Sequence, residues 1–158
     1  MSTVQIRMAS AGDIPALTAL RLAYLADDCG GYPQELPGRL PGYFTAHLGR
    51  DCFAAIGADS AGQAVSAAIL VCTEMPPNTR FPHGRCGTVY SVYTAPEYRR
   101  QGIASAMIRM LLDTAEQQGL DRISLSATDA GRGIYEKAGF VCRASHYTEM
   151  EYIISRKG

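Results

Sequence analysis

Apolar and polar positions alternate over residues 4–8, a period of two that predicts a short strand. Ser10 and Asp13 then offer capping side chains, and Pro15 suits a first turn, so a helix is expected over residues 14–26 with Leu17, Leu20, Tyr24 and Leu25 on its buried stripe. Residues 27–42 hold four glycines and three prolines, which break any regular pattern; a short second helix is expected only at 43–48. Two apolar runs, 52–58 and 64–72, are split by Asp59-Ser-Ala-Gly62, a turn-rich linker that predicts an antiparallel hairpin. After a Pro-rich breaker, residues 88–94 are β-branched and aromatic and read as a central strand.

The period changes to that of a helix over 101–118, where apolar side chains recur at 103, 107, 110, 111 and 115 before Gly119 stops it. A further strand is expected at 123–127 and a short helix at 132–138, ended by Gly139. Residues 140–143 and 147–154 read as a closing hairpin. Antiparallel hairpins mixed with helical crossovers imply an α/β or α+β sheet with helices on both faces. At 158 residues, one domain over 1–158 is the expectation.

Charge and cysteine content narrow the function classes. Fifteen Lys and Arg balance fifteen Asp and Glu, which removes the electrostatic argument for nucleic acid or an anionic membrane as partner. The five cysteines stand singly, with no CxxC pair, and fit neither a disulfide framework nor a zinc site; reduced, mostly buried thiols and no bound metal are expected. The opening residues lack a basic segment followed by an apolar one, so the default address is cytoplasmic. Neither GxGxxG after the first strand nor GxxxxGK[ST] occurs, against a nucleotide-dependent oxidoreductase or kinase.

Chemistry concentrates where the central strand runs through a Pro-broken turn into the long helix, Val92-Tyr-Thr-Ala-Pro-Glu-Tyr-Arg-Arg-Gln-Gly-Ile-Ala104. The first turn of a helix carries unpaired N–H groups at its positive dipole end, and Gly102 removes the side chain that would keep an anion away. Arg99 and Arg100 add charge beside this cradle. Thirty residues on stands Tyr135-Glu-Lys-Ala-Gly-Phe140.

These two segments, in this order, resemble the GCN5-related N-acetyltransferase (GNAT) family. Arg99-Arg-Gln-Gly102-Ile-Ala104 matches its (Arg/Gln)-x-x-Gly-x-(Gly/Ala) signature, and residues 135–140 match Tyr-Glu-Lys-x-Gly-Phe. The motifs cover roughly residues 88–145; the rest agrees by order of elements. The resemblance implies a mixed, mostly antiparallel central sheet and acetyl-CoA as cosubstrate. Its pyrophosphate would rest on the turn of Arg99, Arg100, Gln101, Gly102, Ile103 and Ala104, and its pantetheine arm along Val92, Tyr93 and Thr94. Tyr135 matches the tyrosine that protonates the leaving thiolate, a reasonable acid because phenol and thiol basicities are comparable. Implied partners are a small-molecule or peptide amine, attacking directly in a ternary complex; a non-catalytic acyl-CoA-binding module is the alternative. Residues 28–42 lie where the family places its acceptor-binding wall, and the loop acids Asp27, Asp28, Glu35 and Glu74 would favour a cationic acceptor. Attack requires a neutral amine and hence a base. The glutamate some relatives carry early on the central strand is absent, since Gly87, Thr88 and Tyr90 stand there; Glu74, His83, Glu149 or water are left as candidates. The closing hairpin offers an edge that a second copy can pair with to form a homodimer.

Overall fold

Period-two alternation splits the sheet residues between two cores. The computed structural model describes residues 3–154, and these form a five-stranded sheet in the order of the chain: β1 (Gln5–Met8), β2 (Cys52–Ala58), β3 (Ala64–Glu74), β4 (Arg85–Thr94) and β5 (Arg122–Ser124). The first four pair antiparallel, whereas β4 and β5 are parallel and joined through helix α3 (Ile103–Gln117). On one face Ala55, Ala68, Leu70 and Val89 meet Met107, Ile108 and Leu111 of α3. The neighbouring positions Cys52, Ala54, Ile56, Ala67 and Ile69 point the other way, to Leu17 of α1 (Ile14–Cys29) and Phe44 of α2 (Leu36–His47). The mixed sheet with helices on both faces is the expected one.

Several boundaries differ from the sequence expectation, for local reasons. Helix α1 runs three residues further, to Cys29, because Gly30 supplies the left-handed C-cap at φ 74° and its N–H reaches Leu25 O. Helix α2 begins seven residues before the expected short helix. Pro37 sits in its first turn, where no N–H is needed, and Pro41 forfeits one backbone bond. Burial of Phe44 and packing of Leu40 in the same core offset that loss. Strand β5 ends at Ser124 rather than 127, and α4 covers Arg132–Lys137.

The closing hairpin does not form. Residues 141–154 have no strand pairing, and Val141, Tyr147, Met150, Tyr152, Ile153 and Ile154 are exposed. Their apolar side chains find no core, and a strand without a partner has no ladder to hold it. A groove of about 860 Å³ follows the free side of β5, between α3 and α4, where such a hairpin would pair.

At the first strand, Arg7 grips Asp13 with both terminal nitrogens, at 2.7 and 2.8 Å, and the Ser10 N–H donates to the same carboxylate at 2.8 Å. Cys52 and Cys86 are buried and Cys72 half-buried, but Cys29 and Cys142 are exposed, so the cysteines are less sheltered than expected. No helix among the described residues is long and apolar enough to cross a membrane.

Candidate active site

The parallel pairing of β4 with β5 stops after three residue pairs, Cys86 with Arg122, Gly87 with Ile123 and Thr88 with Ser124. From Val89 to Thr94, β4 continues along β3 only, so its other edge presents backbone donors and acceptors with no strand opposite. Within this stretch the β3 register shifts between Ala67 and Ile69, and buried Ser91 takes φ 59°. A left-handed serine in a bulge bends the strand, which carries its second half away from the line of β5. Val92, Tyr93 and Thr94, the expected pantetheine stretch, lie on this open half.

Beyond Thr94 the short helical turn Pro96–Tyr98 leads to Arg99 and Arg100, and Arg100 and Gly102 both adopt positive φ, 63° and 78°. No side chain caps the first turn of α3, so its leading N–H groups are left for solvent or a ligand. A Cβ built on Gly102 would have nothing within 4 Å. The space over the N-terminus of α3 is therefore open, and what calls for glycine at 102 is the left-handed φ of 78°. Ile103, by contrast, is buried and anchors the turn to the α3 core.

Arg99 serves this turn as a brace. Its Nε donates to Thr94 O at 2.8 Å, its Nη2 lies 3.5 Å from Asp27 of α1, and its guanidinium lies 5.6 Å from the centre of the Tyr93 ring. The side chain thus ties the end of β4, the cradle and α1 together, and its charge is partly met by Asp27. Exposed pairs of this kind contribute little energy, about 0–1 kcal/mol. Their effect here is on position.

Between the open stretch of β4, the chain after β5, α1 and α4 lies a cavity of about 270 Å³. Tyr135 of α4 lines it, half-buried, with its ring edge-on to Phe140 at 6.0 Å. Burial, and then the neighbouring Tyr24, push the Tyr135 phenol above its ordinary value, so it stays protonated at neutral pH. Tyr24 and Arg21 reach the cavity from α1, one turn apart, and the Arg21 guanidinium lies 5.7 Å from the centre of the Tyr24 ring. The Tyr24 hydroxyl donates to Asp28 at 3.2 Å.

Expected site residues divide by position. Val92 and Tyr135 line the cavity, and Tyr93, Thr94 and the turn from Arg99 to Ala104 carry the wall onward to the head of α3. The candidate bases lie elsewhere. Glu74 is exposed at the end of β3 opposite Arg85. His83 Nδ1 sits 2.7 Å from Asp121, beside the start of β4, and Glu149 is exposed in the irregular C-terminal stretch. None lines the cavity, nor does any of residues 28–42. On that side this cavity is walled by Arg21 and Tyr24 of α1. Arg21 was not singled out from sequence, although a polar residue four positions after Leu17 and three before Tyr24 on an otherwise apolar stripe is a readable signal. No group of three potential metal ligands occurs among the described residues.

The model of the Acetyltransferase (GNAT) family matches residues 20–140. Among solved structures, the chain is similar to a predicted acetyltransferase with acetyl-CoA from Clostridium acetobutylicum, with 28% identity and a TM-score of 0.82 over 94% of this chain and 96% of that one. It shares its fold with a GCN5-related N-acetyltransferase from Ralstonia eutropha, at 22% identity and TM-score 0.74 over 96% and 99% of the two chains. The same holds for glucosamine-6-phosphate N-acetyltransferase from Arabidopsis thaliana, at 16% identity and TM-score 0.70 over 94% and 98%. No match was found among curated proteins.

Proposed function

The chain belongs to the Acetyltransferase (GNAT) family, and from that premise we propose that it is an acetyl-CoA-dependent N-acetyltransferase in which the amine attacks the thioester directly within a ternary complex. One observation carries this reading: the unpaired half of β4 leads without interruption from a cavity holding a protonated phenol to an uncapped helix start whose glycine leaves room for an anion. The acetyl-CoA bound to the Clostridium acetobutylicum structure supports the choice of cosubstrate.

Acetyl-CoA supplies an activated acyl group as a thioester. The backbone of Val92, Tyr93 and Thr94 offers the amide arm of the cosubstrate an extended partner, as one strand offers another. The turn from Arg99 through Arg100, Gln101, Gly102 and Ile103 to Ala104 receives the pyrophosphate, where the α3 dipole and its leading N–H groups favour negative charge. Arg100, exposed beside the cradle, adds charge without a competing ion pair among the described residues. Tyr135 donates its proton to the departing sulfur as the C–S bond breaks, and its desolvated site keeps that proton available. No carboxylate or imidazole lines the cavity, so the ammonium proton of the acceptor leaves through water or the cavity hydroxyls.

The test is a pair of measurements on the intact chain. Calorimetry with acetyl-CoA is expected to show one site, and a panel of amines followed by free-thiol release is expected to show acceptor-dependent turnover. A folded protein that binds no acetyl-CoA refutes the reading. Binding without release of thiol for any amine would favour a binding module over an enzyme.

A further inference from the structure

The one charged side chain that lines the cavity beside Tyr135 has the opposite sign to the acids of residues 27–42. Of the side chains that line it, only Arg21 carries a formal charge; the others are apolar or bear hydroxyls, among them Tyr24, Thr88, Tyr90, Ser126 and Tyr135. Of the nearest acids of α1, Asp27 pairs with Arg99, and Asp28 accepts from the Tyr24 hydroxyl and keeps its charge but is not itself in the lining. Arg21 makes no ion pair among the described residues, and its guanidinium lies 5.7 Å from the centre of the Tyr24 ring. Arg21 thus lines the cavity with no carboxylate paired to it, an arrangement that a bound oxyanion would complete.

We infer that the acceptor amine also carries an anionic oxygen group, a carboxylate or a phosphate, and that Arg21 is the residue that selects it. This rests on the acetyltransferase reading of the same cavity. The planar fork of Arg21 matches the two oxygens of either anion. Arg21, Tyr24 and Tyr135 line one cavity of about 270 Å³, so the anion site and the reacting end of the cavity are close together. The acceptor is therefore compact, with amine and anion on one small skeleton. A cationic or purely apolar amine would leave Arg21 repelled or unpaired.

The experiment uses matched acceptor pairs on the full chain: amino acids against their amides, and amino-phosphates against the corresponding amino-alcohols, each followed by thiol release. Wild type is expected to prefer the anionic member of at least one series by tenfold or more in kcat/KM, and the preferred series identifies the anion. Arg21→Ala should collapse that preference by about 10- to 100-fold, chiefly through acceptor KM. Arg21→Lys, which keeps charge but loses the fork, should restore part of it. Equal use of both members by wild type, or an Arg21→Ala protein that keeps the preference, overturns the inference while leaving the acetyltransferase reading intact. Failure of acetyl-CoA to bind, or of every amine to react, overturns that reading and this inference with it.

Discussion

Removing one oxygen atom from Tyr135 separates its chemistry from its packing. Tyr135→Phe keeps the edge-on contact with Phe140 and the half-buried ring, and the lost hydroxyl makes no hydrogen bond to another described residue. Folding stability should therefore change by no more than about 0.5 kcal/mol, the range of substitutions that break no contact. General acid catalysis contributes about 10²- to 10⁴-fold, so kcat should fall by that factor, or about 2.7–5.4 kcal/mol in the barrier. Acetyl-CoA affinity should stay within a few-fold, because the cradle at α3 is untouched. Burial and the neighbouring Tyr24 raise the phenol's pKa, so the acid form persists through the neutral range and is lost only above its ordinary value of 10. The alkaline limb of kcat due to Tyr135 should accordingly lie above pH 10 and vanish in the variant. Thiol release at saturating acetyl-CoA measures kcat, and calorimetry measures the affinity. A Tyr135→Phe protein with unchanged kcat would return the residue to a packing role.

Three further outcomes are expected. Gly102→Val should weaken acetyl-CoA binding by tenfold or more, since it adds bulk where the cradle is open and forces a branched residue to φ 78°; unchanged calorimetric affinity in a folded variant would show the cradle misplaced. Asp13→Asn should cost about 1–2 kcal/mol at pH 7. The Arg7 hydrogen bonds hold the Asp13 carboxyl down at about 2 against an ordinary 3.8, and partial exposure of Arg7 trims the roughly 2.5 kcal/mol that this shift implies. Because the folded value is depressed, the difference between wild type and variant is present above pH 4 and fades as pH falls towards 2; denaturant melts across that window check it, and a difference independent of pH would refute the assignment. Phe44→Ala should destabilise the fold by about 3–5 kcal/mol, as emptying a fully buried aromatic site does, and a loss under 1 kcal/mol would show that α2 is not held by that core.

Legibility in the sequence tracked the reach of local rules. Strands β2 and β3 and helix α3 were readable because their period, their turn residues and their burial agree. Helix α2 was not, because Pro37 and Pro41 are local signals against a helix, while the burial of Phe44 that overrides them depends on strands far along the chain. The C-terminal hairpin failed in the opposite direction. Residues 147–154 have strand-like composition, but pairing is a property of two segments, and the free edge of β5 is not occupied by them. The uncapped start of α3 at Gly102 was legible because a glycine at a helix start has a local meaning. The bend at Ser91 was not, since a serine with φ 59° carries no mark in its neighbours.

The acid count of residues 27–42 and the lining of the cavity point to opposite acceptor charges. A carboxylate acts most strongly on a ligand it touches. Asp27 pairs with Arg99, Asp28 keeps its charge while accepting from the Tyr24 hydroxyl, and neither they nor Glu35 line the cavity. What remains is one guanidinium on α1, placed by the 3.6-residue period that also buries Leu17. In the reading proposed above that charge meets the acceptor's anionic oxygen group, and the resulting pair is close to neutral, so it neither repels the ammonium nor replaces a base. Loss of the amine's proton then falls to water or the cavity hydroxyls, and Arg21→Lys tests the two-pronged grip alone.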